Sequence, residues 1–113
     1  MRGSGIDLLN ITIRGVQKDE DSYLNYAKED VFGFVLLFNQ KKTKQQEAKM
    51  KSLTNALVDA ALKNNGTFYL PYRLHIDREK MRRSYPQADA FFKLKLQYDP
   101  GALFDNTFYE HYK

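Results

Sequence analysis

The sequence predicts an α+β domain: a mainly antiparallel sheet with flanking helices. Three observations predict it. Residues 8–16 alternate apolar and polar, residues 31–38 form an unbroken apolar run, and the helical periodicities follow these strands instead of alternating regularly with them. A chain of 113 residues buries enough surface for one modest core, so a single domain is expected. Eight Tyr and eight Phe suit a folded chain better than a disordered one.

The expected order is strand, short edge strand, strand, helix, strand, helix, helix. In the first strand Leu9, Ile11 and Ile13 share one face and Asn10, Thr12 and Arg14 the other. Gly15 is a candidate bulge position. The polar stretch 17–22 reads as a turn, and 23–27 as a short edge strand. Val31-Phe-Gly-Phe-Val-Leu-Leu-Phe38 is apolar on both faces, as in a central strand covered on both sides. A chain this small has little with which to cover two faces, so the run implies a missing partner domain.

Thr43 and Gln46 form a capping box, opening a helix to about Lys63. Its stripe is Met50, Leu53, Leu57, Ala60 and Ala61. Asn64-Asn65-Gly66 stops it, with Gly66 suited to a left-handed position. Residues 67–70 read as a third strand, limited by Pro71. Asp77 caps a short helix over 78–83, whose group Lys80, Arg82 and Arg83 reads as a solvated face. Ser84 and Gln87 offer a second capping box, with Pro86 in the first turn. Phe91, Phe92, Leu94, Leu96 and Tyr98 give the following helix a broad apolar face, and Asp99-Pro100-Gly101 ends it. The aromatic tail 102–113 is expected to dock.

Charge and composition exclude some functions. The net charge of +4 permits nucleic-acid or anion binding without requiring it. With no Cys, disulfides, thiol nucleophiles and zinc–thiolate sites are excluded. The absence of disulfides suits a reducing cytoplasm, which is the expected location. No stretch has the length of a membrane-spanning helix. Met1-Arg-Gly-Ser-Gly5 runs directly into a strand pattern and is no signal peptide; it suggests a start inside a domain or at a tag junction.

Chemistry concentrates in one stretch. No glycine-rich turn cradles a phosphate: after Gly3 and Gly5, Leu8 stands where a third Gly is needed. His75 and His111 lack metal-ligand spacing, and no Ser sits in a nucleophile elbow. Tyr69-Leu-Pro-Tyr-Arg-Leu-His75, by contrast, leaves a strand and offers a phenol, a guanidinium and an imidazole within four positions. On an extended segment Arg73 and His75 point one way and Tyr72 the other, a set able to bind an anion or move a proton. The competing reading is an edge strand with a solvated Arg73 and a core-facing Tyr72.

From Thr67 to Tyr109 the sequence resembles a known family. Thr-Phe-Tyr-Leu-Pro-Tyr-Arg-Leu-His from Thr67, Ser-Tyr-Pro-Gln from Ser84 and Tyr-Asp-Pro-Gly-Ala-Leu-Phe-Asp-Asn-Thr-Phe-Tyr from Tyr98 look like the C-terminal end of FAD-linked oxidases of the vanillyl-alcohol oxidase superfamily. Sugar-lactone oxidases, alditol oxidases and decaprenylphosphoryl-ribose oxidase end similarly. The resemblance implies a C-terminal portion, 1–113, of a ferredoxin-like cap over the flavin. Residues 99–113 return toward an N-terminal FAD-binding domain of the same protein. It implies hydride transfer from an alcohol or sugar-like CH–OH to FAD, with no activity in the isolated chain. Tyr72, Arg73 and His75 are the implied catalytic residues, and Asn106 and Tyr109 approach the cofactor. Lactone and alditol oxidases carry a His-Trp-small-Lys run where this chain has Tyr69-Leu70-Pro71-Tyr72. Arg73, one position from the expected Lys, is the remaining cation. The alternatives are a small basic RNA-binding module or an interaction domain that pairs with itself through an open sheet.

Overall fold

The computed structural model describes residues 5–113. The readings made on Met1–Ser4 lie outside them. The described residues form a small α+β structure with a two-stranded antiparallel sheet and four helices: β1 (Asp7–Val16), β2 (Val31–Asn39), α1 (Lys44–Lys63), α2 (Arg78–Ser84), α3 (Ala88–Tyr98) and α4 (Thr107–Tyr112).

β1 and β2 pair along their whole length, from Asp7 opposite Asn39 to Val16 opposite Val31. The register slips at Leu9, not at Gly15, so the bulge falls six residues earlier than the glycine suggests. Directly opposed residues share a face. Ile11 therefore lies beside Leu36, Ile13 beside Phe34 and Gly15 beside Phe32.

That face is bare. Phe32 is 73% exposed and Phe34 61%, with Ile11 and Ile13 also exposed. β2 is not the doubly covered central strand its composition predicts, because the hairpin shares no extended contact with any helix. The radius of gyration, 15.6 Å, exceeds the about 13 Å of a compact domain of this length, as a projecting hairpin requires.

Two expected strands do not form. Residues 23–27 are coil whose carbonyls are taken elsewhere: Gln87 Nε2 donates to Tyr23, Thr67 Oγ1 to Tyr26 and Asp19 N–H to Ala27. Residues 67–70 are also coil; the Tyr85 hydroxyl donates to the Phe68 carbonyl at 2.5 Å, and no strand lies alongside. Side chains have replaced ladder partners in both segments.

The core lies among α2, α3 and α4. Met81, Tyr85, Ala88, Phe92, Tyr109 and Tyr112 form one buried cluster, with Phe91 and Phe108 packed against it. Phe92 meets Tyr109 edge-on at 5.6 Å, and the Tyr112 hydroxyl donates to the Ile76 carbonyl at 2.8 Å. The tail is thus docked from Thr107 onward, while Leu103 and Phe104 stay outside.

The helix ends follow side-chain chemistry with two departures. Thr43 and Asp77 cap α1 and α2 through their own oxygens. The Ser84–Gln87 box does not form: Ser84 ends α2, its Oγ is buried without a partner, and Gln87 precedes α3 with no side-chain cap. After α1 the left-handed residue is Asn65 (φ 57°), not Gly66. Gly66 is needed for closeness instead, since a Cβ there would sit 3.0 Å from the Ala61 carbonyl oxygen. Nor is the basic group of α2 simply solvated. Lys80 bonds to Asn55 and Asp59 of α1, and Arg82 joins Asp89 and the Tyr112 carbonyl.

Candidate functional site

The segment 71–75 is placed by a tight turn. The His75 N–H donates to the Arg73 carbonyl at 2.9 Å, a three-residue turn about Leu74. This turns both side chains toward the start of α1. They meet on one carboxylate, that of Glu47.

Glu47 Oε1 lies 2.6 Å from His75 Nε2. Glu47 Oε2 accepts from Arg73 Nη1 at 2.5 Å and from Gln40 Nε2 at 2.7 Å. Arg73 Nη1 also donates to Gln40 Oε1 at 3.2 Å, closing a triangle of three side chains from three segments. The imidazole is the buried end of the chain of contacts: His75 is 8% exposed, and its Nδ1 lies 3.3 Å from Thr54 Oγ1. The Thr54 hydroxyl itself donates to the Met50 carbonyl. The network thus runs from helix backbone through Thr54, His75 and Glu47 to Arg73 at the surface.

The electrostatics follow the geometry. The hydrogen bond from His75, then that from Gln40, outweighs desolvation and holds the Glu47 carboxyl below its ordinary range. Glu47 is therefore a fixed anion, and its first-turn position in α1 favours that state too. Arg73 is held through Nη1; its Nε and Nη2 make no hydrogen bond among the described residues, and the side chain is 62% exposed. Tyr72 projects into solvent beside it, against the reading of a core-facing Tyr72, with its ring 5.2 Å from Tyr69.

On its other side, His75 borders an open cleft of about 480 Å³ lined also by Lys51, Asn55, Arg78 and His111. Both ring nitrogens of His75 are engaged, Nδ1 with Thr54 and Nε2 with Glu47.

Asn106 and Tyr109 belong to another neighbourhood. Asn106 Oδ1 accepts the Tyr109 N–H at 2.9 Å, capping α4. Tyr109 is buried on Phe92, with the Lys95 ammonium 4.4 Å from its ring centroid. No hydrogen bond or ring contact joins these two residues to Arg73 or His75. The 99–104 loop precedes them in the chain. There Asp99, bonded to Lys95 at 2.8 Å, accepts the N–H groups of Leu103 and Phe104 and points both apolar side chains outward.

Sequence reasoning found Arg73 and His75 but not Glu47 or Gln40. An acid in a first helical turn is commonplace, so nothing in the pattern marks Glu47. Among the described residues no group of His, Asp or Glu has the arrangement of a metal site, and no helix is long and apolar enough to cross a membrane.

The elements and their register define a small α+β protein built from a hairpin and a helical core. No protein family, no curated protein and no solved structure matches the chain.

Proposed function

We propose that this chain is the C-terminal part of the substrate domain of an FAD-linked oxidoreductase. A neighbouring FAD-binding domain holds the cofactor, and the substrate is an alcohol or sugar-like compound oxidised at CH–OH. The observation that carries the reading is the bare apolar face of the hairpin. A solvent-facing sheet of Phe32, Phe34, Ile11 and Ile13 marks a surface that another lobe covers. In a ferredoxin-like cap further strands pair with the edges of such a hairpin and a packed layer of helices covers its face. The flavin chemistry itself rests on the resemblance over Thr67–Tyr109.

The helix starts agree with a borrowed cofactor. Pyrophosphate is held by free backbone N–H groups at a helix N-terminus. Thr43, Asp77 and Asn106 direct their own oxygens at those groups in α1, α2 and α4, and Gln87 opens α3 behind Pro86 without a glycine turn. These capped starts support a reading in which the neighbouring domain holds the dinucleotide. Asn106, with the outward Leu103 and Phe104, forms the tail face that meets the FAD-binding domain, and Tyr109 supports it from behind, buried on Phe92.

Bound flavin supplies the hydride acceptor. The chain's own part is polarisation and positioning. Arg73 offers a fixed cation to developing negative charge. The Glu47–His75 pair holds that cation in place. Tyr72, next to Arg73 in the chain, presents an exposed hydroxyl.

The test is reconstitution. The purified chain is expected to be colourless and inactive, and to restore substrate-dependent flavin reduction when combined with the FAD-binding domain. Stoichiometric FAD on the chain alone would overturn the division of labour. A second reading, an interaction module that pairs with itself, is favoured by the same hairpin; a mass that doubles with concentration while reconstitution fails would select it. The RNA-binding alternative has less support, because Tyr69 and Tyr72 lie off the sheet and meet edge-to-face instead of offering a flat platform.

A further inference from the structure

We propose that the free edge of Arg73 grips a carboxylate on the substrate, and that Glu47 and Gln40 are the positioning residues that aim it. This rests on the substrate-domain reading and adds a substrate class: an alcohol that also bears a carboxylate.

A guanidinium has one side edge, Nε with Nη2, whose two parallel N–H groups match the two oxygens of a carboxylate. Arg73 spends only Nη1 on the protein, on Glu47 and on Gln40. Among the described residues the Nε–Nη2 edge is left unbonded, on a largely exposed side chain. Here the fork is withheld, and the third nitrogen does the anchoring.

The anchor is stiff because it is tied to the interior. His75 is buried and fixes Glu47 Oε1, Thr54 fixes His75, and Gln40 braces both Glu47 and Arg73. The negative charge of Glu47 does not forbid an incoming anion, since it is already shared between Arg73 and His75. The rotamer entropy that a free arginine loses on gripping a ligand has been spent in the folded state.

The experiment uses the chain itself with acetate and glycolate as probes, acetamide as the neutral isostere and chloride at matched ionic strength. The readout is the Arg73 Nε–H resonance. A saturable shift with acetate and glycolate, absent with acetamide and chloride, is expected. Arg73→Lys keeps the charge but loses the fork, and is expected to weaken binding about tenfold or more.

Glu47→Gln separates aiming from charge. Removing a negative group near an anion site tightens binding if Glu47 acts only through its charge; the positioning role predicts weaker binding instead. Gln40→Ala, a neutral change at the other brace, is expected to weaken binding as well, and it decides the matter should Glu47→Gln unfold. No saturable shift, an equal response to chloride, or tighter binding in Glu47→Gln (or unchanged binding in Gln40→Ala) overturns the proposal. Flavin reduction is not measured, so failure here leaves the substrate-domain reading standing, and failed reconstitution leaves this one.

Discussion

Glu47 receives three side chains, and its worth to the fold depends on remaining ionised. Its carboxyl titrates below the ordinary value of 4.5 in the folded chain, first because of the His75 hydrogen bond. A lowered folded value means the contribution is whole above 4.5 and fades as pH falls through the folded value. Asp99 behaves alike below 3.8, held by Lys95 and by the Leu103 and Phe104 N–H groups. Urea midpoints of the native chain and of Glu47→Gln should therefore differ near neutrality and converge in acid. A gap that persists unchanged at about pH 3 would show that the carboxylate contributes nothing through its charge. Arg73 and His75 were legible from sequence because three functional groups crowd four positions; Glu47, 26 residues before Arg73, was not. Local pattern reports which side chains are chemically able, while the turn about Leu74 decides which acid they find.

Caps show where short-range chemistry suffices and where it does not. Thr43 and Asp77 were readable as caps because their oxygens satisfy the first free N–H groups of a helix with no help from the rest of the chain. Ser84 was misread because it is the last residue of α2 and not the start of α3, which leaves its hydroxyl inside the core. The strands at 23–27 and 67–70 failed for a related reason: a strand needs a neighbour, and Gln87, Thr67 and Tyr85 had claimed the carbonyls. α4 is the most dependent of the helices on its cap, being six residues long with two buried tyrosines to hold in place. Asn106→Ala is expected to cost about 1 kcal/mol in chemical unfolding. Asn106→Asp, which keeps the accepting oxygen, should recover most of it. If the cofactor role assigned to Asn106 holds, the aspartate variant will stay stable yet lose flavin reduction on reconstitution, since it retains the cap and loses the amide.

At the scale of the whole molecule, the helical core and the hairpin answer to different conditions. The core closes over two phenols, Tyr85 and Tyr112, whose values burial pushes up to about 12 from 10.0. Above 10.0 the unfolded chain releases these protons and the folded one does not, so stability should fall as pH rises toward about 12 and then level. Chemical unfolding across that range should show a shallower fall in Tyr85→Phe/Tyr112→Phe, measured relative to its own stability at neutral pH. The hairpin follows no such rule, because solvent already surrounds it. Phe34 lies in the middle of the bare face, opposite Ile13, and contributes little to the helical core. Phe34→Ser should change the unfolding free energy by no more than about 0.5 kcal/mol. The same change should sharply reduce both the binding of a hydrophobic fluorescent dye and any concentration-dependent association. A buried partner for Phe34 within this chain would reverse both results, with stability lost by about 3 kcal/mol or more and dye binding raised as the core opens. The two outcomes differ in sign as well as size, so one variant with two measurements decides whether the apolar face is waiting for a second lobe.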